Sequence, residues 1–283
     1  MHPGEGRPHE HFHRIRLVEM LKGKVAIVTG AGGSGCGRAI ACRLACEAAA
    51  VVVADIREAG LRETAGTIAR EGGRVSILPT DVGNETEVRA LFAFVESSYG
   101  GVDVVVNDAS AAVVPEKTFD DSFANVRVDL LGAMYATRYA IEAMRRRGGG
   151  AIVNIGSTSA LPHGDLRAGG PSASGYNTAK AGVMRLTTTL AWMGTKEGIR
   201  VNCVVPHWIG TEHIKAVVAG MTAAQRRASA VPDVLLAPEE VADAVLRLAT
   251  DESLTGRLLV CHGGQSPRLI PFGDAGYAHL DEP

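Results

Sequence analysis

Short apolar runs rich in β-branched residues alternate along this chain with stretches of helical period. The runs occupy residues 24–29 (KVAIVT), 50–54, 74–78, 102–106, 151–155, 199–205 and 257–261. They are continuous rather than alternating, as expected of strands covered on both faces. Between them, residues 37–48, 58–71, 85–98, 118–147, 176–197 and 238–249 carry helical spacing. Strand–helix repetition of this kind predicts an α/β fold, a doubly wound parallel sheet wrapped by helices. There is no internal repeat and no linker, so residues 21–265 are expected to form a single domain.

Three segments interrupt the alternation. Residues 160–175 (ALPHGDLRAGGPSASG) form a Gly/Pro/Ser loop after the fifth strand, and residues 207–237 follow the sixth with one short helix near 222–230. Both leave carboxyl ends of strands, where open α/β sheets bind ligands, so they are expected to wall a substrate cleft. Residues 266–283 read as a tail. Residues 1–20 read as a frayed extension, since the spacing of His9, His11 and His13 fits no core.

Composition narrows the classes. Of 283 residues, 46% are hydrophobic and 21% charged, enough apolar material for a sizeable core. The formal net charge is −2, with no basic excess for nucleic acid or an anionic membrane. No apolar run approaches the roughly 20 residues that span a bilayer, and the polar N-terminus lacks the apolar stretch of a secretion signal. Five cysteines, an odd number, point to reduced thiols and a cytoplasmic location. Cys36, Cys42 and Cys46 have no completing His or acid, so no metal site is expected. His163, His207 and His213 fall in the substrate loops and are expected to face solvent.

The first strand runs into Thr29-Gly30-Ala31-Gly32-Gly33-Ser34-Gly35-Cys36-Gly37-Arg38, with five glycines in eight residues. Such a turn, between a first strand and a first helix, lets a pyrophosphate approach free helix-terminal N–H groups. The second strand ends at Asp55, 18 residues beyond Gly37. An acid there accepts hydrogen bonds from a ribose diol and repels a 2′-phosphate, which favours NAD over NADP. Arg57 complicates this, because a guanidinium there accommodates a phosphate. Asp81-Val82 and Asn107-Asp108-Ala109-Ser110 stand at the next two strand ends, either beside the nucleotide or as turn chemistry.

At the other end of the motif series, the fifth strand closes in Asn154-Ile155-Gly156-Ser157, and Tyr176-Asn177-Thr178-Ala179-Lys180 opens a helix. Positions i and i+4 share a helix face, so Tyr176 and Lys180 point the same way. An ammonium beside a phenol favours phenolate. With a serine hydroxyl holding the substrate oxygen, this constellation moves a proton on and off an alcohol while a nicotinamide carries hydride.

On these residues the chain resembles the short-chain dehydrogenase/reductase family over about residues 20–265. The resemblance rests on the glycine turn at 29–37, Asp81-Val82, the NNAG-like stretch 107–110, Ser157, Tyr176, Lys180, and Pro206-His207-Trp208-Ile209-Gly210-Thr211, which is similar to the family's Pro-Gly stretch. It implies a Rossmann fold of seven strands, a small-molecule alcohol or ketone substrate, a nicotinamide cofactor and a homotetramer or homodimer. It further implies that Tyr176 is the acid/base, that Lys180 binds the nicotinamide ribose and depresses the tyrosine, and that Ser157 orients substrate. Cofactor contacts are implied for Gly30, Gly35, Cys36, Gly37, Asp55, Asp81, Val82, Asn107, Ala109, Tyr176, Lys180, Ile209 and Thr211. NADP-linked ketone reduction and a non-catalytic nucleotide-binding protein of the same fold are the alternatives.

The departures from the family pattern are specific. One extra residue separates Gly30 from Gly35. The second Asn and final Gly of NNAG are Asp108 and Ser110. The helix asparagine counted as a fourth catalytic residue aligns with Asp129, expected to pair with Lys180. His207 replaces a glycine, and His262 replaces the acid before Gly263-Gly264. The Ser157–Tyr176 loop is longer than usual, with Ser159 and Ser174 as weaker serine candidates.

Overall fold

A computed structural model describes residues 19–111, 119–161 and 174–273. The His-rich segment before residue 19 and His163 therefore lie outside the described residues, as does the end of the tail. The chain enters the fold at Leu21, which is buried in the core and bonds its amide to the Glu47 carbonyl.

The elements follow in order. β1 (Val25–Thr29), α1 (Cys36–Cys46), β2 (Ala50–Asp55), α2 (Glu58–Arg70), β3 (Arg74–Pro79), α3 (Glu85–Tyr99) and β4 (Val104–Asn107) form the first half. The second half holds α4 (Ser122–Asn125), α5 (Gly132–Arg147), β5 (Gly150–Ile155), α6 (Ser174–Thr189), α7 (Trp192–Glu197), β6 (Ile199–Pro206), α8 (Glu212–Ala219), α9 (Ala223–Ala228), α10 (Pro238–Thr250), β7 (Leu258–Cys261) and β8 (Arg268–Leu269). The sheet order is β3-β2-β1-β4-β5-β6-β7-β8. The first seven strands are parallel, and β1 pairs with both β2 and β4. The chain thus winds one way from β1 and then the other, and the carboxyl ends of β1 and β4 bound the cleft where such sheets take nucleotides.

The continuous apolar runs follow from burial on both faces. In β1, Ala26 and Val28 enter the layer with Ile40, Leu44 and Val245, whereas Val25 and Ile27 enter the layer with Leu91, Phe92 and Met144. Small residues let α1 lie close against α10, with Ala41 and Ala45 facing Ala242 and Ala249 in one cluster.

Four expectations are corrected. Among the described residues the sheet has eight strands rather than seven: Arg268 and Leu269 in the tail turn back and pair antiparallel with Val260 and Leu259. The helix expected over 118–147 is interrupted, because residues Val126–Leu131 take a π-helical turn between α4 and α5. The helix expected over 176–197 ends at Thr189. There the threonine run turns hydroxyls onto its own backbone, Thr187 to the Val183 carbonyl and Thr188 to Arg185, which competes with helix continuation. The 207–237 segment holds two helices, each with its own start signal. Thr211 caps α8 by accepting from the Ile214 amide, and Thr222 with Gln225 forms a capping box on α9.

Candidate active site

The glycine turn is held by close backbone approach. Gly30 has φ +76°, and a Cβ there would lie 2.7 Å from Ala109 N and Cα. A Cβ on Gly37 would lie 2.3 Å from the Gly30 carbonyl oxygen. Only glycine fits both places. Thr29 ties this turn to the next strand end: its hydroxyl accepts from the amides of Asp108 and Ala109, each at 3.2 Å.

The extra residue of the turn bulges toward β2. The Gly32 amide donates to Asp55 Oδ2 at 3.0 Å, and a Cβ on Gly60 of α2 would nearly coincide with the Gly32 carbonyl. Asp55 is buried, and it also accepts from Arg57: the backbone amide at 2.9 Å, Nε at 3.1 Å and Nη2 at 3.2 Å. Burial alone would raise the Asp55 carboxyl. The Arg57 guanidinium and the amides of Arg57 and Gly32 outweigh that and hold it below its ordinary value.

These residues fit a dinucleotide. Gly35, the N-cap of α1, makes no side-chain cap, and the first turn carries no acid of its own, so a helix end that suits an anion faces the turn, with Asp108 set beside it at Gly37. Thr211 comes within ordinary contact of Gly35, with its methyl 3.4 Å from where a Cβ would stand. Ile209 is pinned beside it by a bridge to Leu236. Cys36 is buried at the head of α1; burial, followed by the Asp108 charge, pushes its thiol up, so the side chain carries no charge there.

Other implied contacts are engaged elsewhere. The Asp81 carboxylate accepts from the Gly83 amide and from Arg127, which is turn chemistry. Val82 is buried against Gly132. Asn107 gives its amide to Asn154 Oδ1 at 2.8 Å, while its own Oδ1 is buried with no hydrogen-bond partner among the described residues.

At the reactive end, Tyr176 and Lys180 do share one face of α6. The Lys180 ammonium lies 5.6 Å from the Tyr176 ring centroid. Nζ donates to the Ile155 carbonyl at 3.1 Å and stands 3.6 Å from Asp129 Oδ2. Burial alone would lower this lysine; facing Tyr176, Asp129 and Asp108 more than offset it and hold it above its ordinary value. The π-helical turn is the element that carries Asp129 to this spot, a local irregularity often found at functional sites.

Ser157 begins a 3₁₀ turn over Thr158–Ala160, packed beside α6. Its hydroxyl accepts from the Ser159 amide at 3.2 Å and lies 2.9 Å from the Ser159 hydroxyl.

Several departures from the family pattern turn out to be mates. Ser110 donates to Asp129 Oδ2 at 2.5 Å, and the Ala111 amide donates to Oδ1 at 2.7 Å. His207 does not face solvent as expected. It is half-buried, with Nδ1 2.8 Å from the Thr158 hydroxyl and its ring 4.9 Å from that of His262. Burial, then the neighbouring His262, lowers it. The roles of Thr29, Thr158 and Ser110 were not assigned from sequence. The signal for Ser110 was present, because it and Asp129 depart from the same pattern together.

A cavity of about 450 Å³ lies at the opposite, amino end of the strands, lined by Met20, Asp103, Arg147 and Arg200 among others. Asp103 is paired there with Lys24 and Arg147, and Arg200 donates to carbonyls at the end of α10. It does not compete with the carboxyl-end cleft as a reactive site.

A Rossmann-type sheet, a glycine turn at its first crossover and a Tyr/Lys pair at the fifth strand's tip define a nucleotide-dependent oxidoreductase class. Residues 30–266 match the family described as enoyl-(acyl carrier protein) reductase. The chain is 34% identical over 264 residues to an uncharacterised oxidoreductase of Thermotoga maritima, covering 89% of this chain and 99% of that protein. It is 35% identical over 257 residues to the cis-4-hydroxycyclohexanecarboxylate dehydrogenase of Sinomonas cyclohexanicum, covering 88% and 98%. A crystal structure described as a short-chain dehydrogenase/reductase from Burkholderia xenovorans superposes with TM-score 0.77 at 32% identity, covering 87% of this chain and 97% of that one. The chain belongs to the short-chain dehydrogenase/reductase family. It is an oxidoreductase of that family, which uses a nicotinamide cofactor on small molecules. Among the described residues no helix is long and apolar enough to cross a membrane.

Proposed function

We propose that this chain is an NAD-dependent dehydrogenase/reductase that interconverts a secondary alcohol and a ketone. The observation that carries the reading is the buried Lys180 ammonium set beside the Tyr176 ring. A bound nicotinamide supplies the hydride acceptor in one direction and the donor in the other. Tyr176 takes the hydroxyl proton as the carbinol carbon gives up hydride, and returns it to the carbonyl oxygen in reduction. Ser157 donates to the same substrate oxygen and fixes its distance from the phenol. Lys180 stabilises the phenolate and would hold the nicotinamide ribose when the cofactor is bound. Asp129 acts through Lys180, as a positioning residue.

The Sinomonas relative, by its name, oxidises a ring-borne secondary hydroxyl, which favours the alcohol/ketone assignment. NAD is favoured by the ionised Asp55 at the tip of β2. The guanidinium of Arg57 folded over that carboxylate is the observation in favour of an NADP-linked reductase instead. Titration of the protein with NADH by fluorescence, followed by turnover of a panel of secondary alcohols with NAD, tests the reading. Saturable binding with turnover is expected; saturable binding without any turnover would leave a non-catalytic nucleotide-binding protein.

The proposed location is the cytoplasm, in keeping with five unpaired thiols. The proposed assembly is a homodimer or homotetramer with an isologous interface through α5 and α6. Its support is apolar surface on and beside these helices: Phe123 is 61% exposed, Met134 42% and Trp192 51%. Light scattering at micromolar concentration is expected to give at least twice the chain mass, and a monomer mass would refute the assembly.

A further inference from the structure

We infer that Asp108 is the proton-carrying residue of the dinucleotide site, so that cofactor binding takes up a proton there. The inference rests on the reading of the glycine turn as the pyrophosphate site.

Asp108 reaches the turn from the side. Its carboxylate lies against the start of α1, so close that a Cβ on Gly37 would stand 2.9 Å from Oδ2. The first turn of α1 carries no acid of its own. Asp108 is therefore a carboxylate placed at the same helix end that a pyrophosphate needs.

The cluster around it has one negative charge too many. The buried Lys180 faces two carboxylates, Asp129 at 3.6 Å and Asp108 farther off. The two acids are not equivalent. Asp129 stands 3.6 Å from the ammonium and accepts from the Ser110 hydroxyl and the Ala111 amide. Asp108 has the Gly37 amide and the more distant Lys180 to favour its charge, with Asp55 of β2 and Asp129 of the π-helical turn opposing. Cys36 of α1 adds no charge, because its thiol is held protonated by burial. A single proton neutralises the cluster, and Asp108 is where it is held most readily. Burial leads, and the Asp108 carboxyl is pushed up to about 7.

The consequence is a linkage. A pyrophosphate brings negative charge to the α1 terminus and repels ionised Asp108, so the complex holds the proton more tightly than the free protein does. Below the free-protein value of about 7 the residue is already protonated and affinity does not depend on pH. Above it, the dissociation constant rises by up to roughly tenfold per pH unit, until the value in the complex is reached. The neutral asparagine of the family pattern has no proton to take up.

NADH fluorescence titrations of the full chain from about pH 6 to about pH 9, at fixed ionic strength, test this, with calorimetry at about pH 8 in two buffers of different ionisation enthalpy. The wild type is expected to bind at least roughly tenfold more weakly at the top of the range, with up to about one proton taken up per NADH. Asp108→Asn is expected to bind with a flat profile and no proton uptake. Asp129→Asn is expected to keep the slope with its onset at lower pH, because Asp129 helps hold the proton on Asp108. A flat wild-type profile with good binding, or a slope that survives in Asp108→Asn, would overturn the inference while leaving the dinucleotide reading intact. Absence of NADH and NADPH binding at every pH would overturn both. If Asp108→Asn does not fold, the wild-type calorimetry decides: proton uptake supports the linkage and its absence refutes it.

Discussion

Replacement of Tyr176 by phenylalanine is expected to lower kcat by at least roughly 10²-fold, the usual cost of losing a positioned general acid/base. The substitution removes one hydroxyl and keeps the ring beside Lys180. That ammonium keeps its bond to the Ile155 carbonyl and its approach to Asp129, neither of which involves Tyr176. NADH affinity is therefore expected to stay within about twofold, since no charge is added or removed at the glycine turn. Single-turnover rates and fluorescence titration on the same preparation separate the two effects. Activity within a few-fold of wild type would show that the proton travels by another group.

Asp55→Asn is expected to shift the ratio of kcat/KM for NAD over NADP toward NADP by roughly 10- to 10²-fold, counting about 1.5–3 kcal/mol for a hydrogen bond to a charged acceptor. Asparagine is the informative replacement because its oxygen still accepts from the Gly32 amide, now at 3.0 Å, so the turn keeps its anchor. Asp55 is held below its ordinary carboxylate value and is ionised throughout the neutral range. Removing its charge abolishes the repulsion of a 2′-phosphate and frees Arg57, 63% exposed at its side chain, to turn toward that phosphate. Steady-state rates with both cofactors on one alcohol give the ratio. An unchanged ratio would mean that Asp55 is spent on the turn and on Arg57 and does not read the ribose.

The strands were legible because each is a continuous apolar run, and the seven parallel ones fall within a residue or two of where those runs stand. β8 was not, because Arg268 and Leu269 show neither period nor length; the pair is a strand only because β7 offers an edge. α8 went unseen although Thr211 and Glu212 form a start signal, since the following residues are largely exposed and carry no core-facing stripe. At the site, the motif spacing brought Tyr176 and Lys180 to one helix face, as local geometry requires. The neighbours of Asp129 could not be read the same way. Its contact with Ser110 spans 19 residues and depends on one π-helical turn, a feature with no local sequence signature. The direction of the bulge in the glycine turn was likewise hidden, because it is set by Asp55 and Gly60 across the fold.

The two ends of the sheet bear on how this protein behaves when concentrated. β3 is one outer strand, opened by Arg74 and closed by Pro79, which has no amide hydrogen to donate. β8 is the other, only two residues long and running against the rest. A foreign chain seeking to extend the sheet meets a charge and a proline on one side and almost no ladder on the other. Among the described residues strand addition is therefore disfavoured at both borders, and the helical faces are the better surfaces for copies of this chain to meet.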